Sequence, residues 1–328
     1  MSFDRLTHAL TSGLTLPHEG RILLSGAPGD LDLAGLDPAR CEILQRFAPD
    51  HDAWTRRGLT TRAAPEGRYA ATIVFLPRAR DRAEARLAEA CAITDDLVVI
   101  DGQKTDGIEA MVKALRPRVA TEGVVSKAHG KMAWFRPDPD ALADWAHAPR
   151  QLDSGMWTAP GIFSADGPDP ASEALAEALP RKLGATVVDL GAGWGGLAPA
   201  VLDRAGVESL HLVEADLDAL DCARKNVTDP RAQFHWADAT TWAPEGSVNT
   251  VVMNPPFHIA RKADPGLGQA FIRAAARMLT PQGTLFLVAN RHLPYESTLQ
   301  DTFADVDEIG GNTRFKLITA ARPRRARR

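Results

Sequence analysis

The run Val187-Val188-Asp189-Leu190-Gly191-Ala192-Gly193-Trp194-Gly195-Gly196 leaves this chain few folds to choose from. A short apolar strand enters a glycine-rich turn, and the turn enters a helix predicted over 197–204. A backbone that tight and that bare lets a bulky ligand lie against the main chain. Glycine turns also serve plain strand-to-helix connections, so the residues that follow decide the matter. A second strand, Ser209-Leu210-His211-Leu212-Val213, ends in Glu214. An acid at that tip, roughly 20–25 residues past the turn, is placed to hold both hydroxyls of a ribose. A third strand-like piece, Gln233-Phe234-His235-Trp236-Ala237, ends in Asp238, placed for an adenine amino group. The alternation predicts an α/β fold with its site at the carboxyl ends of the strands.

A fourth apolar run, Val248-Asn249-Thr250-Val251-Val252-Met253, ends in Asn254-Pro255-Pro256-Phe257. These residues suit an exocyclic amine conjugated to a ring or a carbonyl. Such a nitrogen has a delocalised lone pair and is a poor nucleophile. The Asn254 oxygen and a Pro-Pro carbonyl can each accept one of its hydrogens, which favours the pyramidal nitrogen that attacks. The prolines fix the backbone and expose carbonyls outside any ladder. Phe257 offers a flat face for a base. Taken alone, the same four residues also describe a strand stopped by proline beside a buried Phe.

Taken together these motifs resemble the Rossmann-like, class I S-adenosylmethionine (AdoMet)-dependent methyltransferases of the Asn-Pro-Pro-Phe group. More narrowly, residues 155–320 resemble the bacterial small-subunit ribosomal RNA guanine-N2 methyltransferases. The carrying pieces are Gly161-Ile162-Phe163-Ser164 with Asp169 and Ser172, the glycine turn from Asp189, and Asn254-Pro255-Pro256-Phe257-His258. Val288-Ala289-Asn290, Leu293-Pro294-Tyr295 and Arg314-Phe315-Lys316 complete the set. Two departures stand out. Asp169-Pro170-Ala171-Ser172 has alanine where the family usually has glycine, and Trp194 places a bulky side chain after the turn.

The resemblance implies AdoMet as cofactor, held by Phe163, Asp169, Ser172, Asp189, Gly191, Gly193, Gly195, Glu214, Asp238 and Asn254. Asn254, Pro255, Pro256 and Phe257 are the expected catalytic set. Phe257, Arg314, Phe315 and Lys316 are expected to touch the substrate, and no metal is expected. Asp169 or Asp166 can seat the methionine ammonium, and Ser172 can instead cap a helix that begins at Glu173. The segment 156–163 reads either as a cofactor lid or as a linker pinned by Trp157.

The first 150 residues also alternate strands with helices: Arg21-Ile22-Leu23-Leu24-Ser25, Ala71-Thr72-Ile73-Val74-Phe75-Leu76 and Asp96-Leu97-Val98-Val99-Ile100, with a helix over 82–92. Where a glycine turn would stand, Ser25-Gly26-Ala27-Pro28-Gly29-Asp30 carries a proline that removes one N–H. No Asn-Pro-Pro-aromatic occurs before residue 150. Two tandem Rossmann-like methyltransferase domains are therefore expected, 1–150 degenerate and 151–328 catalytic. The first would aid RNA docking or folding; it resembles the family mainly through Ser126-Lys127-Ala128-His129-Gly130-Lys131-Met132. Arg136-Pro137-Asp138-Pro139-Asp140 and Ala148-Pro149-Arg150 are read as its exit.

Charge gives mild resistance to a nucleic-acid partner. The first 150 residues hold 20 Lys+Arg against 21 Asp+Glu, and the rest 18 against 21. Arg322, Arg324, Arg325, Arg327 and Arg328 crowd the C-terminal end as either a phosphate anchor or a solubilising tail. A local basic patch, such as Arg56-Arg57 with Arg62 and Arg68 or the run from Arg78 to Arg82, can bind RNA on an acidic chain. Three scattered cysteines and nine scattered histidines show no metal-ligand spacing. Without a long apolar run or a signal pattern, a soluble cytoplasmic monomer is expected. The expected partner is ribosomal RNA within a small subunit or its precursor. Large-subunit RNA, tRNA or a protein glutamine present the same flat amine. A non-catalytic RNA-binding factor and a nicotinamide-dependent oxidoreductase stay as alternatives of other classes; the latter leaves Asn254-Pro255-Pro256-Phe257 unexplained.

Overall fold

A computed structural model of the chain describes residues 2–33, 35–256, 258–259, 262–263 and 265–324. The chain divides into two compact units, Met1–Pro149 and Arg150–Arg328. In the first unit β1 (Ile22–Ser25), β2 (Cys41–Leu44), β3 (Thr60–Arg62), β4 (Tyr69–Phe75), β5 (Thr94–Gln103), β6 (Thr121–Lys127) and β7 (Gly130–Phe135) form one sheet. Its order is β3-β2-β1-β4-β5-β7-β6. Neighbours from β3 to β5 run parallel, and β7 runs antiparallel to β5 and β6. Alternate strand residues face opposite sides, so two cores form. Leu24, Ile43 and Ile73 pack with Leu6 of α1 (Ser2–Thr11) and Trp54 of α2 (Ala48–Arg56). Val74, Val98 and Ile100 pack with Leu87 of α3 (Arg80–Ile93) and Val112 of α4 (Ile108–Leu115).

The second unit opens with a two-stranded pair, β8 (Arg150–Gln151) and β9 (Trp157–Thr158), before α5 (Pro170–Ala178). Then come β10 (Thr186–Leu190), α6 (Ala198–Leu202), β11 (Ser209–Glu214), α7 (Leu217–Asn226), β12 (Ala232–Trp236) and β13 (Val248–Met253). A hairpin, β14 (His258–Ile259) with β15 (Lys262–Ala263), precedes α8 (Pro265–Met278), β16 (Leu279–Asn290), α9 (Glu296–Thr302), β17 (Phe303–Gly311) and β18 (Phe315–Pro323). The sheet order is β12-β11-β10-β13-β16-β18-β17. Five parallel strands again end in an antiparallel pair. The two units thus share one strand order, position by position. In each, chain order reverses beside the first parallel strand, which opens a crevice there at the carboxyl ends.

Three boundaries differ from expectation. The helix after the glycine turn spans only Ala198–Leu202, because the turn runs through Gly195 and Gly196 before the helix closes. Helix α5 starts at Pro170, not Glu173; Asp169 is its N-cap, and a proline in the first turn is preorganised for a helix. The stretch 136–140 is not the exit from the first unit. It leads into a 3₁₀ helix, Asp140–Trp145, that buries Leu142 and Trp145 against α3 and α4. Among the described residues no helix is long and apolar enough to cross a membrane. All three cysteines are buried as free thiols, and burial pushes each up to about 11.

Candidate active site

Strands β10 and β13 lie side by side, so the glycine turn and Asn254 emerge at neighbouring strand ends. The turn is tied to β11: Gly191 and Ala192 donate to the Val213 carbonyl at 2.9 and 3.0 Å. Gly193 has φ +56 and open space where a Cβ would stand, while Gly195 has φ +85 and would set a Cβ 2.9 Å from Val227 Cγ2. Gly193 therefore leaves room at the surface of the turn, and Gly195 admits α7 against its back. A cavity of about 220 Å³ opens over the turn. Asp189, Gly191, Gly193, Gly196, Asp169, Ser172, Phe163 and Asn254 all line it. Gly195 does not; Gly196, absent from the expected set, does.

Two polar groups in this cavity lack partners. Both carboxylate oxygens of Asp189 are buried without a hydrogen bond, and the residue is 1% exposed. Burial, with the nearby Glu214 charge, pushes its carboxyl up to about 8. Asn254 Nδ2 donates to Asp169 Oδ2 at 2.9 Å and to Ser172 Oγ at 2.8 Å, whereas its Oδ1 is buried and unpaired. A buried group left unmatched costs free energy, so both sites suit a ligand that completes them. Asp189 calls for a positive or N–H-bearing group, and Asn254 Oδ1 calls for an N–H. Pro255 is buried and Pro256 exposed. Phe257 lies outside the described residues.

The other expected residues fall in distinct places. Glu214 Oε2 accepts the Gly193 N–H and Oε1 the Asp216 N–H, each at 2.8 Å; burial raises its carboxyl. It braces the turn without lining the cavity. Asp238 Oδ1 accepts from the Thr240 N–H at 2.8 Å and the Thr240 hydroxyl at 2.6 Å, at the loop after β12. Asp166 is exposed and pairs with Arg150 at 3.3 Å, outside the cavity. Phe163 is 56% exposed at the cavity wall, and its carbonyl accepts from Trp194 Nε1 at 3.1 Å. Trp194 packs with Ala159, Ile162 and Cys222, which explains the bulky residue after the turn: it anchors the 156–165 segment. Asn226 ties that segment further, accepting from the Trp157 N–H at 2.6 Å and donating to the Trp157 and Trp194 carbonyls.

Arg314 is exposed, and Phe315 packs partly into the core. Lys316 is 3% exposed; its Nζ donates to the Leu293 carbonyl at 2.8 Å and pairs with Glu296. Buried in this way, it fastens the turn before α9 instead of reaching solvent. Arg322 pairs with Asp305, and Arg324 donates to the Phe303 carbonyl. Arg325, Arg327 and Arg328 lie outside the described residues. Among the described residues no group of three His, Cys, Asp or Glu side chains could hold a metal. Met156, from the segment read as a lid or linker, lines the cavity; sequence reasoning missed Pro168 and Ala176 there, since only the folded chain brings them to it.

The first unit supplies an internal comparison. Gly26 donates to the Leu44 carbonyl at 2.8 Å, as Gly191 does to Val213, and the strand registers align the two units. Leu24 then stands at the place of Asp189, Pro28 at Gly193, Gln45 at Glu214 and Phe75 at Asn254. Two of these changes are coupled. Pro28 has no N–H to give an acid, and Gln45 instead donates Nε2 to the Ala27 carbonyl at 2.9 Å. Its Oε1 still accepts the Phe47 N–H at 3.1 Å, as Glu214 accepts that of Asp216. The strand order is kept, but Leu24 and Phe75 put apolar side chains where Asp189 and Asn254 stand in the second unit.

Comparison with known proteins bears on the same residues. Over 92% of the chain and 94% of the relative, it is 29% identical to the ribosomal RNA small subunit methyltransferase C of Hahella chejuensis. It is 26% identical to the ribosomal RNA large subunit methyltransferase G of Streptomyces avermitilis, over 89% and 78%. The T. thermophilus 16S rRNA N2 G1207 methyltransferase, solved in complex with AdoMet and guanosine, matches with a TM-score of 0.75 at 25% identity. That match covers 98% of this chain and 91% of that one. Residues 153–319, which hold the glycine turn, Asp189 and Asn254, match the family described as the methyltransferase small domain, and the chain belongs to that family.

Proposed function

We propose that this chain transfers the methyl group of AdoMet to the N2 amine of a guanine in 16S ribosomal RNA. One observation carries the reading: a buried, unpaired Asn254 Oδ1 shares a cavity with a buried, unpaired Asp189 carboxylate. The first suits a target N–H and the second a cationic part of AdoMet. The solved relative that matches nearly the whole chain holds AdoMet and guanosine together.

The residues present fit AdoMet. Asp189 takes a positive charge, Gly191 and Gly193 leave the turn bare for the methionine and ribose, and Gly195 lets α7 support it. Glu214 keeps acceptor capacity beyond its two backbone bonds for the ribose hydroxyls, and Asp238 is assigned to the adenine. Phe163 covers one wall. When bound, AdoMet supplies a methyl group already activated by a positively charged sulfur.

The chain's own work is then orientation and electrostatics. Asn254 Oδ1 and the Pro255 carbonyl accept the two hydrogens of the guanine amine, which frees its lone pair from the ring. Pro255 and Pro256 hold those acceptors in place, and Phe257 is assigned to the face of the base. The methylated amine is acidic and gives its proton to water, so no side-chain base is needed. Arg314 is the exposed cation assigned to RNA, with Phe315 and the buried Lys316 supporting its strand. The first unit is assigned to RNA docking or folding support, and the chain acts as a metal-free monomer in the cytoplasm on a small subunit or its precursor.

A second reading keeps the chemistry and changes the RNA, favoured by the likeness to a large-subunit enzyme. Small and large subunits lacking their native methylations separate the two. Offered both with AdoMet, the enzyme should form N2-methylguanosine in the small subunit. The same nucleoside confined to the large subunit would replace the substrate.

A further inference from the structure

An asparagine amide has a donor end and an acceptor end that a half-turn exchanges, and only the acceptor end can take an N–H. At Asn254 the choice is made by two residues more than eighty positions away. Nδ2 is held by Asp169 Oδ2 at 2.9 Å and Ser172 Oγ at 2.8 Å. Turned over, the amide would press its oxygen against a carboxylate oxygen. The carboxylate is itself fixed, since Oδ2 also accepts the Ser172 N–H at 2.8 Å as the N-cap of α5. The start of α5 thereby sets the amide at the end of β13, and Oδ1 is left buried and unpaired at the cavity.

We infer that Asp169 and Ser172 are positioning residues for Asn254, locking its oxygen towards the reacting amine, and that the Asp169 charge polarises the amide. The inference rests on the proposed N2 transfer. It moves both residues away from the direct cofactor-holding role expected of them. The target nitrogen gains positive charge as it attacks. A carboxylate behind the amide raises electron density on Oδ1, so the contact strengthens towards the transition state.

Asp169→Asn tests the charge, because asparagine caps helices as well as aspartate and keeps one oxygen for both bonds. Ser172→Ala removes one acceptor within the first turn of α5. For each variant and the pair, three quantities are measured. They are AdoMet affinity by calorimetry, the single-turnover rate on undermethylated small subunits, and guanosine binding relative to inosine, which lacks the exocyclic amine. The rate should fall roughly tenfold in each variant and roughly a hundredfold in the pair, with AdoMet affinity changed by less than about twofold. The preference for guanosine over inosine should disappear. A tenfold loss of AdoMet affinity with that preference intact would return both residues to the cofactor. An unchanged rate would reduce them to a helix cap. A wild-type enzyme that forms no N2-methylguanosine fails the functional reading itself, before any variant is made.

Discussion

Asp189, proposed above to meet a cationic part of AdoMet, costs the fold stability on its own. Its carboxylate is 1% exposed, without a partner, and pushed up to about 8 by burial and the Glu214 charge. A folded value above the unfolded one means that the folded chain holds the proton longer. The contribution to stability is therefore full below the unfolded value and is lost as pH rises through about 8. Asp189→Asn removes that dependence. Without AdoMet, the thermal midpoint of the variant relative to wild type should climb between about pH 5 and about pH 9. A cationic ligand favours the ionised carboxylate, so AdoMet binding should release a proton and tighten as pH rises towards about 8. Calorimetry in buffers of different ionisation enthalpy reads that proton. A pH-independent affinity would mean that no positive group meets Asp189.

At the scale of elements, the glycine turn divides its labour between two positions with similar backbone angles. A methyl at Gly193 meets no protein atom within 4 Å, while one at Gly195 meets Val227 Cγ2 at 2.9 Å. Both substitutions to alanine bear the left-handed backbone penalty of roughly 1–2 kcal/mol. Gly195→Ala adds overpacking of roughly 1–3 kcal/mol against α7 and should lose more stability. Gly193→Ala should lose less stability and weaken AdoMet binding more, because its methyl points into the open cavity. Denaturant melts and AdoMet titration of the two variants check the contrast; equal losses in both would remove it. The sequence showed these glycines but not their separate roles, since Val227 lies 32 positions beyond Gly195. The strands tipped by Glu214 and Asn254 were legible because period and punctuation are local. The link from Asn254 to Asp169 was not, because no local pattern encodes a contact made by tertiary packing. Ser172 was expected to hold the cofactor or else to cap a helix beginning at Glu173, whereas the local pair Asp169-Pro170 starts that helix. Lys316 was expected at the substrate on motif alone, and its pairing with Glu296 reflects the fold of the β18 end.

At the scale of the whole molecule, one strand order appears twice with opposite fates. Leu24, Pro28, Gln45 and Phe75 in the first unit stand where Asp189, Gly193, Glu214 and Asn254 stand in the second. Apolar periodicity holds both sheets, while at these four places the first unit has groups that pack or, as Gln45 with the Ala27 carbonyl, satisfy one another. Titration should accordingly give one AdoMet per chain, and Asp189→Arg should reduce the count to none; two sites would contradict the comparison. Pro28 and the missing Asn-Pro-Pro-aromatic were legible in the sequence as departures of the first half from the second. The coupled exchange at Gln45 was not, because only the strand register aligns it with Glu214.

The most direct measurement follows methyl-labelled AdoMet into undermethylated small subunits with the wild-type chain and with Asn254→Ala, alongside AdoMet affinity for both. Wild type should place the label in N2-methylguanosine. The variant should bind AdoMet almost as well and transfer slower by roughly a hundredfold or more. Label in another nucleoside, or transfer by Asn254→Ala at the wild-type rate, would contradict the assignment of the guanine amine to Asn254.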